Sequence, residues 1–90
     1  MMTVNDFNIM AGILSDDDDK QGVIAIKGTT KKEIAEKTGL SVSKVGNTLA
    51  EFKKEGLVEY GLRRGNTYTY ILTEKGFKEF LKVGGIMDND

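Results

Sequence analysis

The chain has 90 residues, of which 39% are hydrophobic and 30% charged, and this fits one small globular domain with a single core. It contains neither cysteine nor histidine, which excludes disulfides, thiolate or imidazole metal sites, thiol redox sensing and histidine-based catalysis. The net charge of −1 hides a basic segment, because residues 27–82 hold twelve Lys or Arg and seven Asp or Glu, while both ends are acidic. Such a local basic excess favours contact with nucleic acid.

No apolar run approaches the ~20 residues of a membrane-spanning helix, and the N-terminus lacks the basic and apolar regions of a secretory signal. We therefore expect a cytoplasmic protein without membrane contact. A chain of this length builds only a small core, so a monomer has limited stability and dimerisation is favoured.

The first predicted element is a helix over residues 4–14. Thr3 and Asp6 have the spacing of a capping box, in which each side chain accepts a hydrogen bond from the other residue's backbone N–H. Ile9 falls outside the apolar face of this helix, which leaves two interpretations: a contact with another subunit, or a single exposed apolar residue. The face itself consists of Val4, Phe7, Met10, Ile13 and Leu14.

Residues 15–22 are predicted to form a loop, because the four consecutive aspartates at 16–19 cannot pack at that charge density. The aspartates lack the alternating spacing of a calcium-binding loop, so a solvated loop is the preferred interpretation and no metal is expected. The apolar run at 23–26 follows Gly22 and precedes Gly28. Its shortness and its β-branched residues predict a short buried strand, the third strand of a small sheet.

Two helices joined by a tight turn are predicted over residues 30–56. Thr30 and Glu33 have the spacing of a second capping box, and Gly39 stands where a left-handed residue ends the first helix. Ser41 can cap the second helix, which ends at Gly56. The inner side of that helix is an apolar stripe of Val42, Val45, Leu49 and Phe52.

Residues 57–72 are predicted to form a β-hairpin around Gly65-Asn66, a dipeptide suited to a two-residue turn. The corresponding register pairs Arg63 with Tyr68 and Gly61 with Tyr70.

Thr73 is expected to cap a last helix over residues 74–83. Gly84 and Gly85 are expected to end that helix, so that residues 86–90 form a frayed tail.

This order of elements resembles the winged helix-turn-helix DNA-binding domain of MarR-type regulators. The similarity covers residues 23–82 and is weaker over the N-terminal helix. It implies an α+β fold in one domain spanning residues 1–90: a three-helix core, a small antiparallel sheet with a β-hairpin wing, and an extra C-terminal helix. Small plasmid and phage proteins, including the TubR-type adaptors that bind centromere DNA for partition, are also similar. The matching sequence is EIAEKTGLSVSKVGNTLAEFKKEGLVEY followed by RRGNTYTYILTEKGFKEFL.

The second helix of the motif is then the recognition helix, whose N-terminal part reads the DNA groove. Ser41 and Ser43 can donate to phosphate, and Lys44 can reach guanine or phosphate. Asn47 can make two hydrogen bonds to adenine. The complete set of candidates on this helix is Ser41, Ser43, Lys44, Gly46, Asn47 and Thr48.

Two of these residues break local rules of helix design. Lys44 lies in the first turn, where the helix dipole disfavours a cation, and a nearby phosphate would offset that cost. Gly46 lies in the helix interior, where glycine costs about 1 kcal/mol relative to alanine. It would let the backbone approach DNA or a partner helix closely. The alternatives are a solvated lysine and a glycine without function.

Cations outside the recognition helix add further candidates. Arg63, Arg64 and Asn66 lie at the tip of the hairpin, from which they can reach phosphate or a minor groove. Lys31 and Lys32, at the start of the first motif helix, are expected to hold phosphates. For the two arginines the alternative is that their charges only keep an exposed hairpin soluble, and for the two lysines it is contact with bases.

We expect a sequence-specific protein for double-stranded DNA, most simply a homodimeric transcriptional repressor. A centromere-binding partition adaptor is the first alternative. A winged helix that binds a protein partner and no DNA is the second, since the acidic ends suit a basic partner. No catalytic residues and no cofactor are expected, because the sequence has no nucleophile–base pair and no glycine-rich phosphate-binding motif.

Overall fold

The computed structural model describes residues 2–88. Four α-helices and one antiparallel pair of strands form the winged helix-turn-helix architecture that the sequence predicts. In chain order the elements are α1 (Val4–Ile13), α2 (Lys31–Thr38), α3 (Val42–Lys54), β1 (Val58–Tyr60), β2 (Tyr70–Leu72) and α4 (Glu74–Asp88).

One hydrophobic core lies where α1, α2, α3 and the sheet meet. Ile34, Val45 and Leu49 are fully buried and hold α2 against α3. Burying side chains of this size contributes about 1.5–3 kcal/mol each. The core therefore fixes the angle between the two helices of the motif, and with it the direction in which α3 presents its outer side.

Helix α1 is buried on more sides than its predicted face allows. Its capping box between Thr3 and Asp6 forms as predicted. The prediction for Ile9 is wrong: this side chain is fully buried, whereas Val4, placed on the inner face, is exposed. The reason is that α1 contacts α2, α3, α4 and β2, so that neighbours cover the side that a single-stripe reading assigns to solvent.

The prediction of a strand over residues 23–26 is also wrong. The chain there folds back on itself: the Gly22 N–H donates to the Lys27 carbonyl at 2.7 Å, and residues Ala25–Lys27 form one 3₁₀ turn. Val23 and Ile26 are consequently exposed. Thr29 occupies the third-strand position instead, through a single antiparallel bridge to Tyr70.

The hairpin has the predicted turn but a different register. Arg64 and Thr67 are bridged around Gly65 and Asn66, as a two-residue turn requires. Further from the tip, Tyr60 pairs with Tyr70, and the Gly61 N–H donates to the Thr69 carbonyl. The predicted pairing of Gly61 with Tyr70 is therefore wrong by one residue. The shift arises because Leu62 and Arg63 together face Tyr68, as in a β-bulge, and the Leu62 N–H donates to the Ala25 carbonyl instead.

Helix α4 is capped by Thr73, whose hydroxyl accepts from the Gly76 N–H at 3.0 Å. It does not stop at Gly84 and Gly85 but runs to Asp88, so the predicted end at residue 83 is wrong. Neither glycine has the positive φ that ends a helix, and Gly84 packs against the Phe7 ring. The last two residues of the predicted tail lie outside the described range.

Candidate nucleic-acid interface

The turn between α2 and α3 is fixed by local hydrogen bonds. The Thr30 hydroxyl accepts from the Glu33 N–H, and the Glu33 carboxylate accepts from the Thr30 N–H, which is the predicted capping box. Gly39 has a left-handed φ of 76° and its N–H donates to the Ala35 carbonyl. Ser41 then caps α3 by accepting from the Lys44 N–H at 3.0 Å. These local bonds orient the start of α3 without help from distant residues.

The exposed side of α3 differs in part from the predicted one. Ser41, Ser43, Lys44 and Asn47 are exposed as expected. Thr48, which was also expected there, is only 7% exposed, because it lies one residue from Leu49 on the side that packs into the core. Thr48 is therefore not one of the residues that α3 exposes to a ligand.

Val42 departs from the prediction in the opposite direction. It was assigned to the inner stripe, but it is exposed. It is the first residue of α3 and precedes the first fully buried position, Val45, by almost one turn.

One flank of the exposed α3 surface is acidic. Asp6, Glu51 and Glu55 line a hollow of about 330 Å³ beside Lys44 and Asn47. Phosphate would be repelled by these carboxylates. A nucleic acid on α3 is therefore better placed towards the N-terminal half of the helix and towards the wing than towards α1.

The opposite flank of α3 is basic, and Gly46 has a specific part in it. A Cβ atom at Gly46 would lie 3.3 Å from Cδ and 3.7 Å from Nζ of Lys31. The group that approaches Gly46 closely is therefore the chain's own Lys31, which extends from α2 across α3. Lys32, the next residue in the first turn of α2, is exposed like Lys31.

The two arginines of the wing have different surroundings. The Arg63 guanidinium lies over the Tyr68 ring, 5.0 Å from its centroid. Arg64 donates to the Glu33 carboxylate at 3.1 Å and to the Gly28 carbonyl at 2.8 Å. The guanidinium of Arg64 is thus bound to the protein itself, although the residue is exposed. Arg63 and Asn66 are exposed as well, near the tip of the wing.

The Glu33 carboxylate has a perturbed acidity. Partial burial by itself would raise its pKa, but hydrogen bonds from the Thr30 N–H and from Arg64 outweigh burial and lower the pKa below the usual 4.5. The ionised form is therefore the one that the folded protein stabilises.

The acidic loop is more ordered than its charge predicts. Asp18 accepts a hydrogen bond from the Lys27 ammonium at 2.5 Å and another from the Lys20 N–H at 3.0 Å. The Lys27 hydrogen bond is the main reason that the pKa of Asp18 lies below its usual 3.8. The other three aspartates of the loop, Asp16, Asp17 and Asp19, are exposed to solvent, as the sequence predicts for the whole loop.

Sequence reasoning did not select Lys53, Tyr60 or Tyr68 as parts of the interface. Lys53 lies over the Tyr60 ring at 4.8 Å, and Tyr60 stacks on Tyr68 at 4.6 Å. Half-buried aromatic residues are typical of strands, so the tyrosines by themselves do not indicate a nucleic-acid contact. The contact with Lys53 depends on the observed hairpin register, which the turn dipeptide does not predict.

Within residues 2–88, no group of three or more His, Cys, Asp or Glu side chains has the arrangement of a metal site. In the same part of the chain, no helix has both the length and the hydropathy that crossing a membrane requires.

Sequence comparison gives no match, either to a protein-family model or to a curated protein. The fold, in contrast, matches solved structures of transcriptional regulators. One is the Staphylococcus aureus MepR–DNA complex, with a TM-score of 0.72 and 17% identity over 97% of this chain and 65% of that one.

Two further structures match over similar lengths. The PcaV regulator of Streptomyces coelicolor, in complex with its natural ligand, gives a TM-score of 0.73 and 16% identity over 92% of this chain and 53% of PcaV. A MarR-family regulator from Rhodococcus sp. gives a TM-score of 0.74 and 18% identity, over 93% of this chain and 54% of the Rhodococcus protein. The chain thus has the fold of the DNA-binding region of MarR-family regulators and spans between about half and two thirds of these three proteins.

Proposed function

We propose that this protein binds double-stranded DNA in a sequence-specific manner and acts as a dimeric transcriptional repressor. The observation that carries the proposal is the start of α3, where Ser43, Lys44 and Asn47 are exposed together beside a fixed helix cap. Hydroxyl, ammonium and amide groups are the ones with which proteins contact base edges and phosphates. The fold likeness to MepR, a regulator solved in complex with DNA, supports the same role for this surface.

In the proposed complex, α3, the two helix starts and the wing contact different parts of the DNA. Helix α3 enters the major groove, and Asn47 bonds to an adenine edge. Ser41 and Lys32 hold phosphates at the two helix starts. At the wing, Arg63 contacts the neighbouring backbone, while Arg64 keeps the wing attached to α2 through Glu33. Sequence preference then comes from α3, and affinity without sequence preference comes from the cations around it.

The proposed dimer interface lies on α1 and α4. The rings of Phe7 and Phe80 stack at 4.9 Å and join these helices. Val4, Phe77 and Leu81 on the same two helices stay exposed. Several exposed apolar side chains on two helices that pack together are typical of a contact site, and the occupant we propose is a second copy of the chain. A twofold dimer would present two recognition helices to major grooves about 34 Å apart.

The test is selection of bound fragments from a genomic DNA library by the purified protein at two salt concentrations. The proposal expects enrichment of one inverted repeat close to a promoter. Clusters of tandem repeats away from promoters would instead identify a partition adaptor. Binding without any sequence preference, or no binding at low salt, would reject the repressor and favour a protein partner.

A further inference from the structure

Two tyrosines and two cations form a continuous contact series between α3 and the wing. The Tyr60 and Tyr68 rings are stacked at 4.6 Å, with 25° between their planes. Lys53 lies over the Tyr60 ring at 4.8 Å, and Arg63 lies over the Tyr68 ring at 5.0 Å. A cation from the last turn of α3 and a cation from the wing are therefore held by the same pair of rings.

The stack of the two rings depends on the shift in the hairpin. Tyr60 pairs with Tyr70 in the shifted register, so its ring lies on the same side of the sheet as that of Tyr68, two residues before Tyr70. The contact of Arg63 with Tyr68 agrees with the predicted pairing. Tyr70 is buried, and its ring lies 5.4 Å from that of Tyr60, so one end of the stack is fixed in the core. Tyr60 and Tyr68 themselves are 46% and 47% exposed, which leaves the stack at the protein surface.

The stack borders a hollow of about 260 Å³ between α3 and the sheet, which we call the α3–wing channel. Gly46, Lys53, Lys54 and Tyr60 are among the residues that line it. The side chain of Lys31 lies beside Gly46 at one side of this lining. The channel thus carries cations from both helices of the motif, in contrast to the acidic hollow on the other flank of α3.

The two neighbouring lysines on α3 differ in their partners. Lys54 reaches Glu51 on its own helix at 3.7 Å, so its charge is partly compensated. Lys53 lies over an aromatic ring, which attracts the cation without neutralising it. The helix dipole favours a cation at the end of α3, but it does not account for the position of Lys53 over Tyr60.

We propose that the α3–wing channel and the wing cation beside it bind the sugar–phosphate backbone of one strand of duplex DNA, with Lys53 in the channel and Arg63 over the neighbouring Tyr68 ring as phosphate ligands. Tyr60 and Tyr68 are positioning residues that hold these two cations in place before DNA arrives. Ordering long side chains in advance lowers the entropic cost of binding. The inference rests on the proposed DNA-binding function and adds to it a set of contacts separate from the base-reading surface of α3.

The rings are less suited to stacking on an unpaired base. A stacking platform needs a free aromatic face, whereas each of these rings already has a ring on it and a cation over it. The channel therefore favours the backbone of a duplex over single-stranded nucleic acid.

The experiment measures the affinity of the full chain for a duplex of about 25 base pairs without a selected site, by fluorescence anisotropy at several salt concentrations. Lys53→Ala and Arg63→Ala should each lower the slope of log K against log salt by about 0.9. Lys20→Ala, which removes an exposed cation from the acidic loop, is the control and should leave the slope unchanged. Circular dichroism confirms that each variant is folded.

The role of the rings is tested with Tyr68→Leu and its matched control Tyr68→Phe. Leucine should weaken binding about two- to fivefold, because this is the effect expected when one exposed cation–aromatic contact is lost. Phenylalanine keeps the aromatic ring and should bind with wild-type affinity. Combining Tyr68→Leu with Arg63→Ala should weaken binding no further than Arg63→Ala alone.

The outcomes separate the two proposals. If the wild type binds no duplex, both the DNA-binding function and the channel are rejected. If the wild type binds duplex while Lys53→Ala and Arg63→Ala leave the salt slope unchanged, only the channel is rejected. Equal effects of leucine and phenylalanine at Tyr68, or tighter binding of a single strand than of the duplex, would overturn the positioning role of the rings.

Discussion

Arg64 and Glu33 join the wing to the first helix of the motif, with Nη1 at 3.1 Å from Oε2 and Nη2 at 3.0 Å from Oε1. The same carboxylate accepts from the Thr30 N–H at 2.9 Å, so it caps α2 and holds the wing at once. The wing therefore has a fixed attachment to the element that positions α3. A rotation of the wing away from α2 has to break this two-point contact.

The strength of this attachment can be measured with Arg64→Ala, Glu33→Gln and the double variant. Glutamine keeps an acceptor for the capping box but loses the charge. Because the two side chains are 52% and 41% exposed, we expect a coupling of about 0.3–1 kcal/mol in the free energy of unfolding. Arg63→Ala combined with Glu33→Gln is the control, with a coupling near zero. No coupling between Arg64 and Glu33 would show that the contact does not hold in solution.

The stability of the fold should decrease at acidic pH through these carboxylates. Glu33 and Asp18 have folded-state pKa values below their usual 4.5 and 3.8. A lowered pKa contributes stability that is fully present above the unfolded value and is lost as the pH falls through the folded value. Urea unfolding between pH 6 and pH 2 should therefore show a smaller decrease below pH 4.5 for Glu33→Gln than for the wild type. Parallel curves would contradict this assignment.

Two glycines of α4 should respond oppositely to alanine. A Cβ at Gly76 would lie 1.9 Å from the Leu57 carbonyl oxygen, a backbone atom that cannot move freely. Gly76→Ala should lower the free energy of unfolding by about 1–3 kcal/mol or more. Gly85 has open space around its Cβ position, so Gly85→Ala should raise stability by up to about 1 kcal/mol. Thermal denaturation measures both variants, and equal shifts would contradict the packing of α4 on Leu57.

Asn47 is predicted to read a base. Asn47→Ala should cost about 1–3 kcal/mol on the selected site and relax preference at one base pair. Affinity for unrelated duplexes should stay nearly constant. Asn5→Ala, which changes an exposed asparagine about 100° around α1 from Val4, is the matched control. Equal losses on every sequence would show that Asn47 contacts only the backbone.

The proposed dimer can be tested with two leucines that are equally exposed. Leu81 on α4 and Leu62 in the hairpin are both 57% exposed. Leu81→Glu places a charge in the proposed interface and should raise the dimer dissociation constant by at least about tenfold. Leu62→Glu should leave it unchanged. Sedimentation velocity over a concentration series gives both values, and the reverse result would move the interface to the wing side.

Local features of this fold are predictable because their causes lie within a few residues. The two capping boxes need only a threonine and a carboxylate three residues apart. The left-handed turn at Gly39 and the hairpin turn at Gly65 need only a residue that adopts positive φ at little cost. These signals, together with the helical spacing of apolar residues, were sufficient to identify the helix-turn-helix and its wing.

The composition of the surface, in contrast, depends on contacts between distant parts of the chain. Ile9 and Thr48 are buried because of what packs around their helices, which periodicity within one helix does not reveal. The partner of Arg64 is 31 residues away. Residues 23–26 do not form a strand, because Thr29 takes the position beside Tyr70.

The sequence by itself therefore determined the order of the four helices and the hairpin, the helix-turn-helix motif and the start of α3, because short-range hydrogen bonds and apolar spacing specify them. Only the tertiary structure decided which group each of the long cationic side chains contacts. Lys31 lies against Gly46, Arg64 is bound by Glu33, and Lys53 lies over Tyr60. The physical reason is that a long charged side chain has many rotamers of similar energy, and the chosen one depends on partners supplied by other segments of the fold.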